Sequence, residues 1–536
     1  MGKLGTIDFV IFVGFVILVI IVGLWASRKK ETSEDYFLAG RSLPWWLIGI
    51  SMIAGNISAE QFIGQASEGY MLGLAIASYE WIAAITLVIV GIWFLPKFLK
   101  AGVYTIPEFL EHRFSKGSRS IMSLYMLLAT ALVVMPAVLL GGARALHVLF
   151  EMPLWIGIWV IALIGGFYTM LGGLGAVVWT DLIFGATLII GGLAVTIVGF
   201  GEVGFVSFFQ ENSDKLNMIL PASNKTLPWT ALLAGIWIPN FFYWGLNQYI
   251  VQRTLGARSL KEGQRGTIFA AGLKLIIPVI TVFPGIMAYQ LYANQIQTGD
   301  DAYPTIVAKL IPVGLTGLIL AALTGAIMSS LNCMLNSCST IFTSDLYKPY
   351  AKPDSDEHHL VTVGRISTVG FMLLACLWAQ LVKTWGIRGI FNYIQQYWGF
   401  FSPGILGVCL FGLFTKKTPA FAAWVGLLLN PVVYGILLFG TDIAFLNVMI
   451  ITLVIICAWM FLCLVLSSVW SKWTWALAGR ISDLHSDIDR EALWTQLMYP
   501  FGVPKEMPVR EEMDMTTAPD AKWLGAIIIV IVVLLY

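Results

Sequence analysis

The chain is a succession of long apolar runs separated by short polar stretches. A membrane-crossing helix needs about 20 mostly apolar residues. Fourteen stretches fit that pattern, at 7–27, 45–70, 77–96, 120–147, 153–171, 178–201, 228–250, 266–291, 310–346, 363–384, 388–412, 420–438, 443–468 and 522–536. The pattern predicts an all-α polytopic membrane protein with about 14 transmembrane helices. The first run has Lys3 before it and Arg28, Lys29 and Lys30 after it, the reverse of a signal peptide's charge order, so it reads as a retained span. The last is short, with Trp523 and Tyr536 placed to anchor its ends at the two interfaces.

Composition agrees. The chain is 58% hydrophobic and 12% charged, against about 25% charged in soluble domains. Its net charge of +1 points to no nucleic-acid partner. The six cysteines lie in apolar stretches without metal or redox spacing and read as small buried hydrophobes.

Most of the 32 Lys and Arg fall in alternate loops, notably 28–41, 97–119, 253–265, Lys416/Lys417 and 469–522. The opposite side holds only Lys3, Lys215, Lys225, Lys309, Lys383 and Arg388, while Arg144 and Lys274 lie inside spans. Positive charge stays cytoplasmic, which sets the N-terminus outside. The polar segment 469–521, with Asp483, Asp487, Asp489, Glu511 and Glu512, reads as a cytoplasmic loop too small for a catalytic domain. Function is therefore expected within the membrane.

Polar groups inside spans are costly and mark functional positions. The second span places Gly55, Asn56, Ser58, Glu60 and Gln61 within seven residues. That composition predicts an unwound middle whose carbonyls line a cavity and offer oxygens to a small hard cation. The ninth span carries Ser329 and Ser330, with the Ala326 carbonyl one turn before Ser330, again oxygens that suit sodium. Glu80 sits early in the third span and either reaches the interface or lines a site. Lys274 lies about eight residues into the eighth, within reach of the interface by snorkelling. Asn240 and Tyr243 share a helix face with Asn247 a turn on; Gln395 and Gln396 lie near Tyr393 and Tyr397. A carboxylate, an amine, amides and an aromatic ring form a set suited to sugar hydroxyls, and Glu80 balancing Lys274 favours a neutral polyhydroxyl solute. Asp181 is a further intramembrane acid, able to bind a cation or to pair with a base. Arg144 reads as an arginine reaching the outer interface with His147.

Several longer stretches resemble the sodium/solute symporter family, most of all its bacterial sodium–galactose/glucose cotransporters. They are Gly55-Asn-Ile-Ser-Ala-Glu-Gln-Phe-Ile-Gly64, Ala75-Ile-Ala-Ser-Tyr-Glu-Trp81, Tyr104-Thr-Ile-Pro-Glu-Phe109, Val177-Val-Trp-Thr-Asp181 and Tyr243-Trp-Gly-Leu-Asn-Gln-Tyr249. The resemblance runs over about 7–420. It implies a LeuT-type core of five plus five inverted helices with broken helices, one repeat at 45–201 and its partner at 228–412. Segments 1–44 and 413–536 would then be peripheral. It also implies a sodium-coupled sugar symporter of the glucose, galactose or inositol class in a bacterial inner membrane.

By the same resemblance, Gln61, Glu80, Asn240, Lys274 and Gln395 hold the sugar, and Tyr243 stacks on it and gates it from inside. Ala54, Ile57, Ala326, Ser329 and Ser330 match the sodium site, and Asp181 matches an acid that the family links to sodium. Gln65, Tyr79 and Phe391 match the outer gate. Four departures follow. Ala83 replaces a sugar-contacting serine. Asn332 and Cys333 stand where relatives with a second sodium site carry small hydroxyl residues, which favours one sodium per solute. Gln65 is polar where the family's gate is usually apolar. The stretch Ala131-Leu-Val-Val-Met135 lacks the arginine of carriers of acidic sugars.

The rival classes lack support. The chain has no H-E-x-x-H, G-x-S-x-G or phosphate loop. His112, His147, His358, His359 and His485 are few and peripheral. A sensor would need an output domain larger than 469–521. Another solute on the same fold remains the main alternative.

Overall fold

The computed structural model describes residues 6–26, 32–58, 60–383, 390–415, 417–484, 489–498 and 513–536. Arg28, Lys29, Lys30, Arg388, Lys416, His485, Asp487, Glu511 and Glu512 lie outside the described residues.

Among the described residues the fold is all helix, apart from one isolated bridge between Leu43 and Ala257. Nine helices among the described residues are long and apolar enough to cross a membrane, and a tenth arises if Phe391–Trp398 and Ser402–Phe414, bent by 47°, form one broken span. The peripheral helices expose Ile7, Val10, Val454, Phe461 and Val533. Such a surface suits hydrocarbon and not water.

Two breaks shape the interior. Helix Trp45–Asn56 stops where Ile57 turns extended, at φ −75° and ψ 104°. The chain resumes as helix over Glu60–Gln65 and Ala66–Met71. The second break separates Trp237–Gly245 from Gln248–Leu255, where Asn247 is extended at φ −81° and ψ 118°. Both interruptions fall where the sequence turns polar. Irregular backbone at membrane depth is tolerated only when buried in protein or lining a cavity.

Three expectations change. The runs 153–171 and 178–201 are two helices as expected, but they meet at a kink at Gly173 within Leu154–Val203, with no longer loop between them. Gly173 has φ +54°, and a Cβ there would sit 2.1 Å from the Tyr36 carbonyl oxygen, so both backbone and space require glycine. The helix that starts at Phe445 does not end near 468 but runs to Leu484. With the further helix Arg490–Met498, much of the segment expected to be loop is helical.

The long helix Leu154–Val203 packs along Leu315–Ile341, and Leu260–Lys274 packs against Trp45–Asn56. These helices carry the acid, the serines, the lysine and the first break, so the packing gathers the polar positions at the centre.

Candidate functional site

Gln61, Glu80, Asn240, Tyr243, Lys274 and Gln395 line one cavity, together with Gln65, Tyr79, Phe391 and Ala83. At its wall Lys274 forms an ion pair with Glu80. The two side chains are only 1% and 4% exposed. Lys274 therefore does not snorkel and Glu80 does not reach the interface. Lys274 ends its helix, Leu260–Lys274, just before the chain restarts at Ile277, and its ammonium is buried against Glu80. It also donates to Asn56 Oδ1 and lies over the Trp244 ring, 4.7 Å from the centroid. The other Glu80 oxygen accepts from Gln65 Nε2, and Gln65 Oε1 accepts from Thr281 at 3.1 Å.

Asn56 completes the chain of contacts by donating to the Tyr243 hydroxyl at 3.1 Å. Its carboxamide thus touches both Lys274 and Tyr243. Sequence reasoning noted Asn56 among the polar residues of the break but not as part of the site. Its place on the last turn before the break was the available signal. The cavity has a volume of about 30 Å³, room for a water or two. A sugar ring enters only if these groups exchange their mutual hydrogen bonds for bonds to the solute.

The break in the second span also frees backbone oxygens. The Ala54 carbonyl would take the Ser58 amide in a continuous helix. That amide instead donates to Gln61 Oε1 at 3.0 Å. The neighbouring Gly55 carbonyl accepts from Ser330 Oγ at 3.0 Å. Ser330 thus sits against the Ala54–Ile57 turn, and Ala54, Ile57, Ala326, Ser329 and Ser330 are all buried. Carbonyl and hydroxyl oxygens are ligands that suit a small hard cation. No group of three His, Cys, Asp or Glu able to hold a metal occurs among the described residues.

Asp181 resolves toward a base. It pairs with Arg253 at 3.1 Å and accepts hydrogen bonds from Ser51 and Ser329. It was expected among the metal ligands. Here its contact with the serine pair runs through the Ser329 hydroxyl. Arg253 opens the basic loop 253–265 in sequence, yet its side chain is 1% exposed. Arg119 likewise ends the basic stretch 97–119. It is buried between Glu111 and Asp345. Arg144, one third exposed, meets the 298–301 turn, donating to Thr298 at 3.0 Å and Asp301 at 3.2 Å. Asn332 contacts the Tyr168 hydroxyl, and Cys333 contacts Arg253 and Asp181.

Tyr79 and Phe391, also in the cavity lining, meet edge to face, with centroids 4.9 Å apart. A Cβ on Gly64 would lie 2.8 Å from Phe391 Cβ, so the absence of a side chain lets the Phe391 helix close over the break. Tyr243 lies edge-on to Tyr249 at 5.5 Å, at the second break. Gln396 and Asn247 do not line the cavity.

A buried polar cavity between two broken helices, in a fold of apolar spans, defines a membrane transporter. The sequence model of the sodium:solute symporter family matches residues 36–430, and the chain belongs to that family. It is similar to the sodium/glucose cotransporter of Vibrio parahaemolyticus, 46% identical over 455 residues, covering 79% of this chain and 83% of that protein. It is also similar to the rat sodium/myo-inositol cotransporter 2, 31% identical over 462 residues, covering 79% and 68%. The solved substrate-bound outward-open structure of a Na⁺-coupled sialic acid symporter shares the fold, with TM-score 0.79 at 24% identity, covering 87% of this chain and 98% of that one. The protein is a multi-pass sodium-coupled symporter and not an enzyme, with Na⁺ as the co-transported ion.

Proposed function

We propose that this symporter imports a neutral sugar or polyol of the glucose, galactose or inositol class, one sodium with each molecule. The observation that carries this reading is the Glu80–Lys274 pair among amides in one cavity. The pair leaves no net charge to attract an anion, and its donors and acceptors match the hydroxyls of a sugar, whose ring faces the aromatic Tyr243. The cotransporters named above, for glucose and for myo-inositol, support the same class.

Sodium binds first at Ala54, Ile57, Ala326, Ser329 and Ser330, with Asp181 holding Ser329 in orientation. The solute then binds Gln61, Glu80, Asn240, Lys274 and Gln395. Gln65, Tyr79 and Phe391 close the outer side, Tyr243 swings away, and both leave inside. Coupling requires sodium to favour the solute-competent state, because a ligand of equal affinity for both states shifts nothing. Fourteen spans, repeats at 45–201 and 228–412, an outside N-terminus and a bacterial inner membrane complete this reading.

The gradient suffices. A tenfold sodium ratio supplies about 1.4 kcal/mol and 100 mV adds about 2.3 kcal/mol per charge, together about a 500-fold accumulation. The test is competition in proteoliposomes: unlabelled hexoses and inositols displace labelled sugar uptake, and amino acids and carboxylates do not. Displacement by an amino acid or a carboxylate moves the protein to another solute of the same fold.

A further inference from the structure

The half-helix Gln248–Leu255 follows the break that ends the Tyr243 helix, Trp237–Gly245, and three of its side chains tie it to the surrounding chain. Gln248 accepts from the Ile106 amide at 2.9 Å and donates to the Tyr104 carbonyl at 3.0 Å. Gln252 donates to the Phe37 carbonyl at 2.7 Å and to Thr340 Oγ1 at 2.8 Å. Arg253 spreads its fork furthest. Its Nε donates to Ser51 Oγ at 2.6 Å, its Nη2 reaches Asp181 at 3.1 Å and also Cys333, and its Nη1 caps the Tyr249 carbonyl. All three side chains are buried.

The Arg253 contacts converge on the candidate ion site. Asp181 accepts from Ser329, so the serine proton is committed and its lone pairs turn to the other side. Ser51 belongs to Trp45–Asn56, the helix whose last turn offers the Ala54 and Gly55 carbonyls. A Cβ on Gly55 would lie 2.5 Å from Arg253 Nη2. The guanidinium therefore packs directly against the backbone next to the ion's carbonyls. We propose that Arg253 is a positioning residue that couples ion occupancy to the Gln248–Leu255 half-helix: it sets Asp181, Ser51 and the Gly55 turn for sodium while holding the inner side shut. Gln248 and Gln252 are the remaining straps. Tyr243 stands across the break on Trp237–Gly245 and meets the half-helix through the Tyr249 ring, so release of the half-helix removes that packing from Tyr243. The inference rests on the ion placement proposed above.

Lysine at 253 keeps the charge but has one nitrogen in place of the fork, so it cannot bond Ser51, Asp181 and the Tyr249 carbonyl together. The experiment measures radioactive sodium binding to the purified full-length protein, and sugar uptake and sodium-free sugar efflux in proteoliposomes. It compares the unaltered chain with Arg253→Lys, Ser51→Ala and Ser330→Ala. Arg253→Lys and Ser51→Ala are expected to raise the sodium half-saturation about tenfold. The sugar half-saturation at saturating sodium stays within about twofold, and sodium-free efflux rises. A merely structural role lowers yield and rate without separating the two half-saturations. Ser51→Ala removes one small hydroxyl and keeps the test alive if Arg253→Lys fails to fold. Unchanged sodium half-saturation in these variants, with Ser330→Ala weakened, overturns the inference alone. Ser330→Ala without effect overturns the ion placement, and the inference with it.

Discussion

Lys274 and Glu80 stand 194 residues apart in the chain and meet as a buried ion pair at the wall of the central cavity. Two charges removed from water persist only when they compensate each other and their remaining hydrogen-bonding capacity is met. Asn56 and Gln65 meet it here. The pair presents a carboxylate and an ammonium to the cavity without giving it net charge.

Glu80→Gln leaves the Lys274 ammonium uncompensated. Breaking a buried pair costs about 3–5 kcal/mol. Sugar uptake is expected to fall at least about 100-fold in kcat/KM, with sodium binding retained. Unchanged sugar half-saturation in purified Glu80→Gln removes Glu80 from the site.

Ser330→Ala deletes one oxygen of the candidate ion site and the hydrogen bond to the Gly55 carbonyl. The sodium half-saturation should rise about tenfold. At saturating sodium the sugar half-saturation should stay near its original value. Titrating uptake with each ligand at fixed concentration of the other separates the two.

Gly64→Ala places a methyl 2.8 Å from Phe391 Cβ and 3.1 Å from its amide nitrogen. A backbone neighbour cannot swing away as a flexible side chain does, so the Phe391–Tyr79 contact opens. Turnover is expected to fall several-fold while sodium binding by the detergent-solubilised protein is preserved. Equal loss of both would indicate damage to the fold and not to closure.

Ala83→Ser adds a hydroxyl to the cavity lining. One neutral hydrogen bond is worth about 0.5–1.5 kcal/mol net. Competition uptake should show tightening of about 2–10-fold for those sugars whose hydroxyl faces position 83, and none for their deoxy analogues.

Much of this was legible because membrane burial makes polar residues conspicuous. The break at Ile57 was foreshadowed by Gly55, Asn56, Ser58 and Gln61 in one apolar run. The cavity set could be proposed from side-chain chemistry, but its convergence could not, since residues as distant as Gln61 and Gln395 meet only through packing. Arg253 was missed for a physical reason. It borders a basic loop, so hydropathy assigns it to the aqueous side, while its partner Asp181 lies 72 residues away. Asn56 was hidden by its own break, which accounted for its polarity without a role. The helix continuing to Leu484 was obscured because polar residues sit on a helix outside lipid as readily as on a loop.

Sodium-driven accumulation tests the central claim most directly. Purified protein is reconstituted into proteoliposomes, and labelled glucose, galactose and myo-inositol are offered with an inward sodium gradient or with choline in its place. The account predicts that at least one of them concentrates inside only when the sodium gradient is present, and that collapsing the gradient releases it. Accumulation that persists in choline, or no accumulation of any of the three under a sodium gradient, would contradict it.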